Sequence, residues 1–201
     1  MGPSAGRNTG IERRGRYASV VMALHWTIAA LILIQIGLGW YMNEVLPDHS
    51  PAQAKIVTLH ISVGLTILLL VLARIGARLA FPPPPLPTGM QNWEKALAGA
   101  SHALFYLLMI LLPLTGWTLV SIHKGPIGFW GVAEWPRLPG LGALATPNHK
   151  PWRETLQTAH TTVFIYVILA NLALHVAGAL KHQFDGQPVL WRMIPFLRRP
   201  A

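Results

Sequence analysis

Cysteine is missing from all 201 residues, which removes disulfides, iron–sulfur clusters, thiolate zinc sites and covalent haem attachment through a C-x-x-C-H motif. Charge is scarce as well: Asp, Glu, Lys and Arg make up 11% of the chain, against about 25% in soluble domains. With 52% apolar residues, this composition excludes an ordinary soluble domain. Acidic side chains number only 7 against 16 Lys and Arg, a net charge of +9 that could suggest nucleic acid. The basic residues, however, lie in connections and tails and do not line one amphipathic face. They read as topology signals and contacts to anionic membrane lipid, with no nucleic-acid partner.

The hydrophobicity is clustered. Apolar segments occupy about 18–42, 56–80, 96–121 and 155–181, each long enough to cross a hydrocarbon core about 30 Å thick. The expected fold is all-α: an integral membrane four-helix bundle spanning about residues 18–182, with an N-terminal tail over 1–17 and a C-terminal tail over 183–201. The apolar run after the tail is too long for a signal-peptide core, so it reads as a retained helix. The run Pro82 to Pro85 makes the second connection stiff and extended. The third connection, about 122–154, is rich in Gly, Pro and Trp (Trp130, Trp135, Trp152) and reads as a cap on the membrane surface. Lys and Arg number 11 on the side of both termini and 5 on the other, which places both termini in the cytoplasm.

Histidines are then the chief candidates for chemistry, because an imidazole inside a spanning helix is costly in lipid unless it faces a partner or a cofactor. His25, His60, His102, His160 and His175 all fall within the apolar segments. Helix direction sets their depths: His60 and His160 lie toward the periplasm, His25 and His175 toward the cytoplasm. The 15 residues between His160 and His175 span about 22 Å and return within about 60° of one face, so one helix can serve two stacked metal centres. Depth pairs His60 with His160 and His25 with His175, giving two six-coordinate irons suited to electron transfer. Interhelical hydrogen bonding is the plain structural alternative for any single histidine. Zinc is less apt, because it takes three or four ligands.

His102 shares the inner depth and is a surplus candidate, either replacing an inner ligand or packing beside a haem, its propionate or a quinone. His182, seven residues after His175, reads either as a surface residue or as a propionate or quinone contact. Arg74 lies 14 residues after His60, about 21 Å deeper and within about 40° of its face, where it can pair a haem propionate. Arg78 reads as a positive-inside anchor. Gly37, Gly39, Gly64, Gly116 and Gly178 leave room for a flat macrocycle or a close helix contact, and Pro113 kinks the third segment.

The stretches RYASVVMALHW, LHISVGLTILLLVLARIGARLAFPPPP, SHALFYLLMILLPLTGW, and ALHVAGALKHQF followed by LWRMIP resemble the prokaryotic cytochrome b561 family over about residues 16–196. The resemblance implies two non-covalent b haems ligated by His25, His60, His160 and His175, with ubiquinone as an electron partner. His160 departs from the family pattern, since a Trp-His-Glu-like stretch reads Trp152, Arg153, Glu154 here. One branch resembles a superoxide oxidase, which passes an electron from periplasmic superoxide to ubiquinone. A cationic funnel of Lys124, Arg137, Lys150 and Arg153, with His123 and His149, would steer that anion. Quinone would sit near Arg74, His102 and His182. Two other readings stand beside this one: an electron-conduit subunit for a separate dehydrogenase or hydrogenase as redox partner, and a histidine-lined metal transporter.

Overall fold

A computed structural model describes residues 15–122, 125–141 and 150–197. His123, Lys124, His149 and the basic residues before 15 and after 197 lie outside them. Helix α1 (Ser19–Trp40) ends in a wide π-turn, Tyr41–Val45. Helix α2 (Pro51–Ala80) and helix α3 (Asn92–Ile122) follow. A two-stranded antiparallel hairpin pairs β1 (Ile127–Phe129) with β2 (Ala133–Trp135), in register at Gly128 and Glu134. Helix α4 (Lys150–Thr158) passes through a second π-turn, Ala159–Val163, into helix α5 (Phe164–Phe184). Four helical spans are thus long and apolar enough to cross a membrane: 19–45, 51–80, 92–122 and 150–184.

The second and third spans start several residues before their apolar runs because polar caps extend them. Ser50 accepts a hydrogen bond from the Gln53 N–H at 3.1 Å, Pro51 fills the first helical position, and the Gln53 side chain reaches back to the His49 N–H at 2.7 Å. At the start of α3 the Glu94 carboxylate accepts the Gln91 N–H at 2.8 Å and also binds Lys181 Nζ at 2.7 Å, which ties α3 to the end of α5.

Helix α2 is the enclosed one. Its Val63, Ile67 and Val71 pack with Ile28 of α1 and Met109 of α3 in the main apolar core. Elsewhere large apolar side chains such as Leu33, Ile34, Leu72, Leu107 and Tyr166 face outward, the arrangement expected of helices solvated by lipid. Between α3 and α5 the contact is polar: Ser101 Oγ donates to Asn171 Oδ1 at 2.8 Å and Asn171 Nδ2 returns a bond to the Ser101 carbonyl at 3.0 Å, with both residues buried.

The hairpin closes the bundle at the end opposite the termini. Trp130 and Gly131 turn with positive φ (54° and 69°), the Trp130 N–H donates to Ser62 Oγ at 2.9 Å, and its indole donates to Thr66 Oγ1 at 3.0 Å. From α3, the Trp117 indole donates to the Pro136 carbonyl at 2.9 Å. Within the expected C-terminal tail over 183–201, residues 187–197 fold back across the terminal end of the bundle, with a short 3₁₀ turn at Leu190–Arg192.

The Ser101–Asn171 pair gives a direct test of helix packing. Asn171→Leu should lower stability in detergent by about 1 kcal/mol, the scale of an interhelical side-chain hydrogen bond in membranes, and Ser101→Ala by less. Thermal unfolding of the two variants beside the parent measures this.

Candidate functional site

The five span histidines are brought together in two groups along the bundle. Toward the hairpin end, His60 of α2 faces His160 of the second π-turn, with ring centroids 6.2 Å apart and planes at 75°. Toward the terminal end, His25 of α1 faces His175 of α5 at 6.3 Å and 60°. The spacing is chemically specific. Two imidazoles bound trans on one metal, each with a metal–nitrogen bond of about 2.0 Å and a ring centre about 1.2 Å behind that nitrogen, put their centroids about 6.4 Å apart. Both pairs therefore fit a single six-coordinate iron between their rings.

His160 reaches this position through a local departure from α geometry. Fifteen regular steps would set it about 60° from His175, but a wide turn takes up an extra residue and re-aims the side chain. The same turn lies against α3 where Pro113 interrupts the helix interior. There the Thr115 hydroxyl donates to the Leu112 carbonyl at 2.8 Å, so its oxygen accepts from His160 Nδ1–H at 2.9 Å. That chain assigns the tautomer and leaves Nε2 bare for a metal. Gly116 completes the seat: a Cβ there would stand 3.0 Å from His160 Cε1. Gly39 and Gly64 likewise lie close to side chains, His60 at 3.5 Å and Gln35 at 3.1 Å. Added Cβ atoms at Gly37 and Gly178 would meet nothing.

The inner group has more members. His102 of α3 lies 5.3 Å from His175 with planes at 87°, and its Nδ1 donates to the Ala98 carbonyl at 2.6 Å. This separation is an edge-to-face packing contact, shorter than the trans-ligation spacing that His25 makes. Phe105 meets the His175 ring edge-to-face at 5.4 Å and 86°. Arg74 is 7% exposed; its Nε donates to the Tyr106 hydroxyl at 3.3 Å and its Nη1 is buried without a partner. A buried guanidinium with an unmet N–H is a seat for an anionic oxygen. His182 is buried at the terminal end, about 10 Å along the helix from His175, so it does not join the inner group.

At the hairpin end, the expected cationic cluster is represented by Arg137, Lys150 and Arg153. Lys150 pairs with Glu154 at 3.7 Å, while Arg137 is exposed and Arg153 half-buried. Lys124 lies outside the described residues. Among the described residues no three His, Asp or Glu side chains group closely enough to hold a metal ion by themselves.

Thr115, Tyr106 and Gln35 were not singled out by sequence. The Gln35 amide donates to the His60 carbonyl at 3.0 Å across α1 and α2. Thr115 carries a usable signal, a hydroxyl two residues beyond a proline inside a span; Tyr106 and Gln35 are ordinary residues until the helices are set face to face. Thr115→Val keeps the side-chain shape and removes the hydroxyl. It should weaken metal or haem retention at the His60–His160 pair about tenfold, with the other pair unaffected, read as haem-to-protein ratio after dilution.

The family model described as prokaryotic cytochrome b561 matches residues 16–196. "Cytochrome b561 homolog 2" of Escherichia coli (strain K12) is 28% identical over 182 residues, covering 89% of this chain and 91% of the relative. "Probable superoxide oxidase CybB" of Yersinia pestis is 26% identical over 188 residues, covering 90% and 96%. "Cytochrome b562" of Cereibacter sphaeroides is 37% identical over 106 residues, 51% of this chain and 65% of the relative. Four apolar spans, paired imidazoles inside them and a match over nearly the whole chain lead to one conclusion: the protein belongs to the prokaryotic cytochrome b561 family of b-haem electron-transfer proteins of the membrane.

Proposed function

We propose that this chain holds two b haems, one between His60 and His160 and one between His25 and His175, and moves electrons across the bacterial inner membrane from superoxide to ubiquinone. The observation that carries the dihaem reading is the pair of ring separations, 6.2 and 6.3 Å, at two levels of one fourth span. Bound there, haem b would supply a one-electron ferric/ferrous couple suited to outer-sphere transfer. The rest is done by the chain. Thr115 holds the His160 ring, and Arg74 offers its free N–H to a propionate.

With the termini in the cytoplasm, the hairpin faces the periplasm. Superoxide gives up one electron there and leaves as dioxygen; two such electrons with two protons convert ubiquinone to ubiquinol. Arg137 and Arg153, which make no ion pair among the described residues, would supply with Lys150 the positive field that draws a small anion to this end. End-to-end similarity to a relative named as a probable superoxide oxidase supports this donor over a protein partner. Ubiquinone would meet the opposite end near Arg74 and His102, and the position of His182 makes it a more distant neighbour of that site.

Purified holoprotein should be reduced by superoxide and reoxidised by a soluble quinone. His160→Ala should remove the outer haem, abolish reduction by superoxide and leave one b haem. A charge reversal at Arg137 should slow reduction by superoxide about tenfold at low ionic strength, and added salt should shrink that difference. Rates that ignore both the substitution and salt would remove the steering role. Failure of superoxide to reduce the holoprotein, with a dehydrogenase subunit co-purifying, would favour the electron-conduit reading.

A further inference from the structure

Residues 187–197 form a strap across the terminal end of the bundle, fixed from three sides. Arg192 Nη1 donates to the Pro85 carbonyl at 2.7 Å, reaching the proline-rich connection between α2 and α3. The Tyr17 N–H donates to the Arg192 carbonyl at 3.2 Å, and Arg16 Nη2 donates to the carbonyls of Ile194 at 2.6 Å and Pro195 at 3.0 Å. From α1, the Trp26 indole N–H donates to the Met193 carbonyl at 2.8 Å. Trp191, 5% exposed, plugs the strap against the chain entry: a Cβ on Gly15 would stand 2.8 Å from its ring, and the Arg16 guanidinium lies 5.9 Å from its centre. Only a glycine fits that approach.

Trp26 is the residue after His25, and the two rings meet edge-on at 5.1 Å and 71°. The contrast with the outer pair is instructive. There, His160 is oriented by a hydrogen bond from its own Nδ1 to Thr115. The ring contacts of His25 are aromatic, to Trp26 on one side and His175 on the other. An indole whose N–H is anchored in the strap is therefore placed to limit how the His25 ring turns, by ring contact where a carbonyl or carboxylate would act by hydrogen bond.

We propose that the strap is a positioning element for the inner axial pair: the Met193 carbonyl holds Trp26, and Trp26 holds the His25 ring in its orientation toward His175. Trp26 and Arg16 are then positioning residues, acting on the site through His25. This inference rests on the reading of His25 and His175 as axial ligands of one haem.

The test uses full-length holoprotein in detergent. Trp26→Phe keeps an aromatic ring and deletes the N–H donor; Arg16→Gln releases the strap at Ile194 and Pro195 without touching His25. The readouts are the two low-spin ferric resonances, assigned with the single-haem His160→Ala variant, and the rate of haem loss from each pair. Trp26→Phe should shift the inner resonance and speed inner haem loss about tenfold, with the outer signal and rate unchanged; Arg16→Gln should move the same readouts in the same direction by less. Inner resonance and loss rate matching the parent in both variants would overturn the proposal. So would equal changes at both pairs, which mark general loosening of the bundle. Parent protein without two low-spin resonances would fail earlier, at the axial-pair reading itself, and is distinguishable because no variant is needed to see it.

Discussion

Imidazole rings facing one another inside an apolar bundle are the constraint to which the rest of this chain answers. Lipid offers no hydrogen bonds, so five histidines within spanning segments have to be turned inward and given something to do. Their arrangement as two facing pairs requires a ring from each of two helices at each level, and the fourth span contributes to both. The glycines at 39 and 116 and the wide turn at Ala159–Val163 lie where those rings are seated. Polar contacts elsewhere in the spans are placed to hold these helices in register: Gln35 across α1 and α2, Ser101 with Asn171 across α3 and α5.

Much of this was legible in the sequence because it follows from coarse periodicities. Four apolar runs give four spans, and alternating direction together with a fixed rise per residue sorts the histidines into two depths without any coordinates. The pairing of His60 with His160 and of His25 with His175 as facing rings rests on that arithmetic. What the arithmetic missed depends on local backbone geometry. A π-turn has no strong sequence signature, so the re-aiming of His160 was invisible, although its landing place beside Pro113 and Thr115 was suggestive in retrospect. The helix starts were set by Ser50 and Glu94, polar residues outside the apolar windows.

The terminal end shows the same limit more plainly. The segment after α5 is short, with Pro188, Pro195 and a pair of arginines at 198 and 199, and by composition it resembles a membrane-proximal tail. Its role emerges only from long-range contacts: Arg16 and Trp26 are more than 160 positions away from the carbonyls they bind. Such contacts carry no periodicity for a sequence to display. At the opposite end the hairpin lies against α2, with Trp130 bonded to Ser62 and Thr66.

On the function proposed above, each facing pair of imidazoles holds one non-covalent haem, two per chain. Pyridine haemochrome analysis of the purified protein, set against its protein concentration, measures this most directly. The account predicts b-type spectra at two haems per polypeptide; one haem per chain, or a colourless protein, would contradict it.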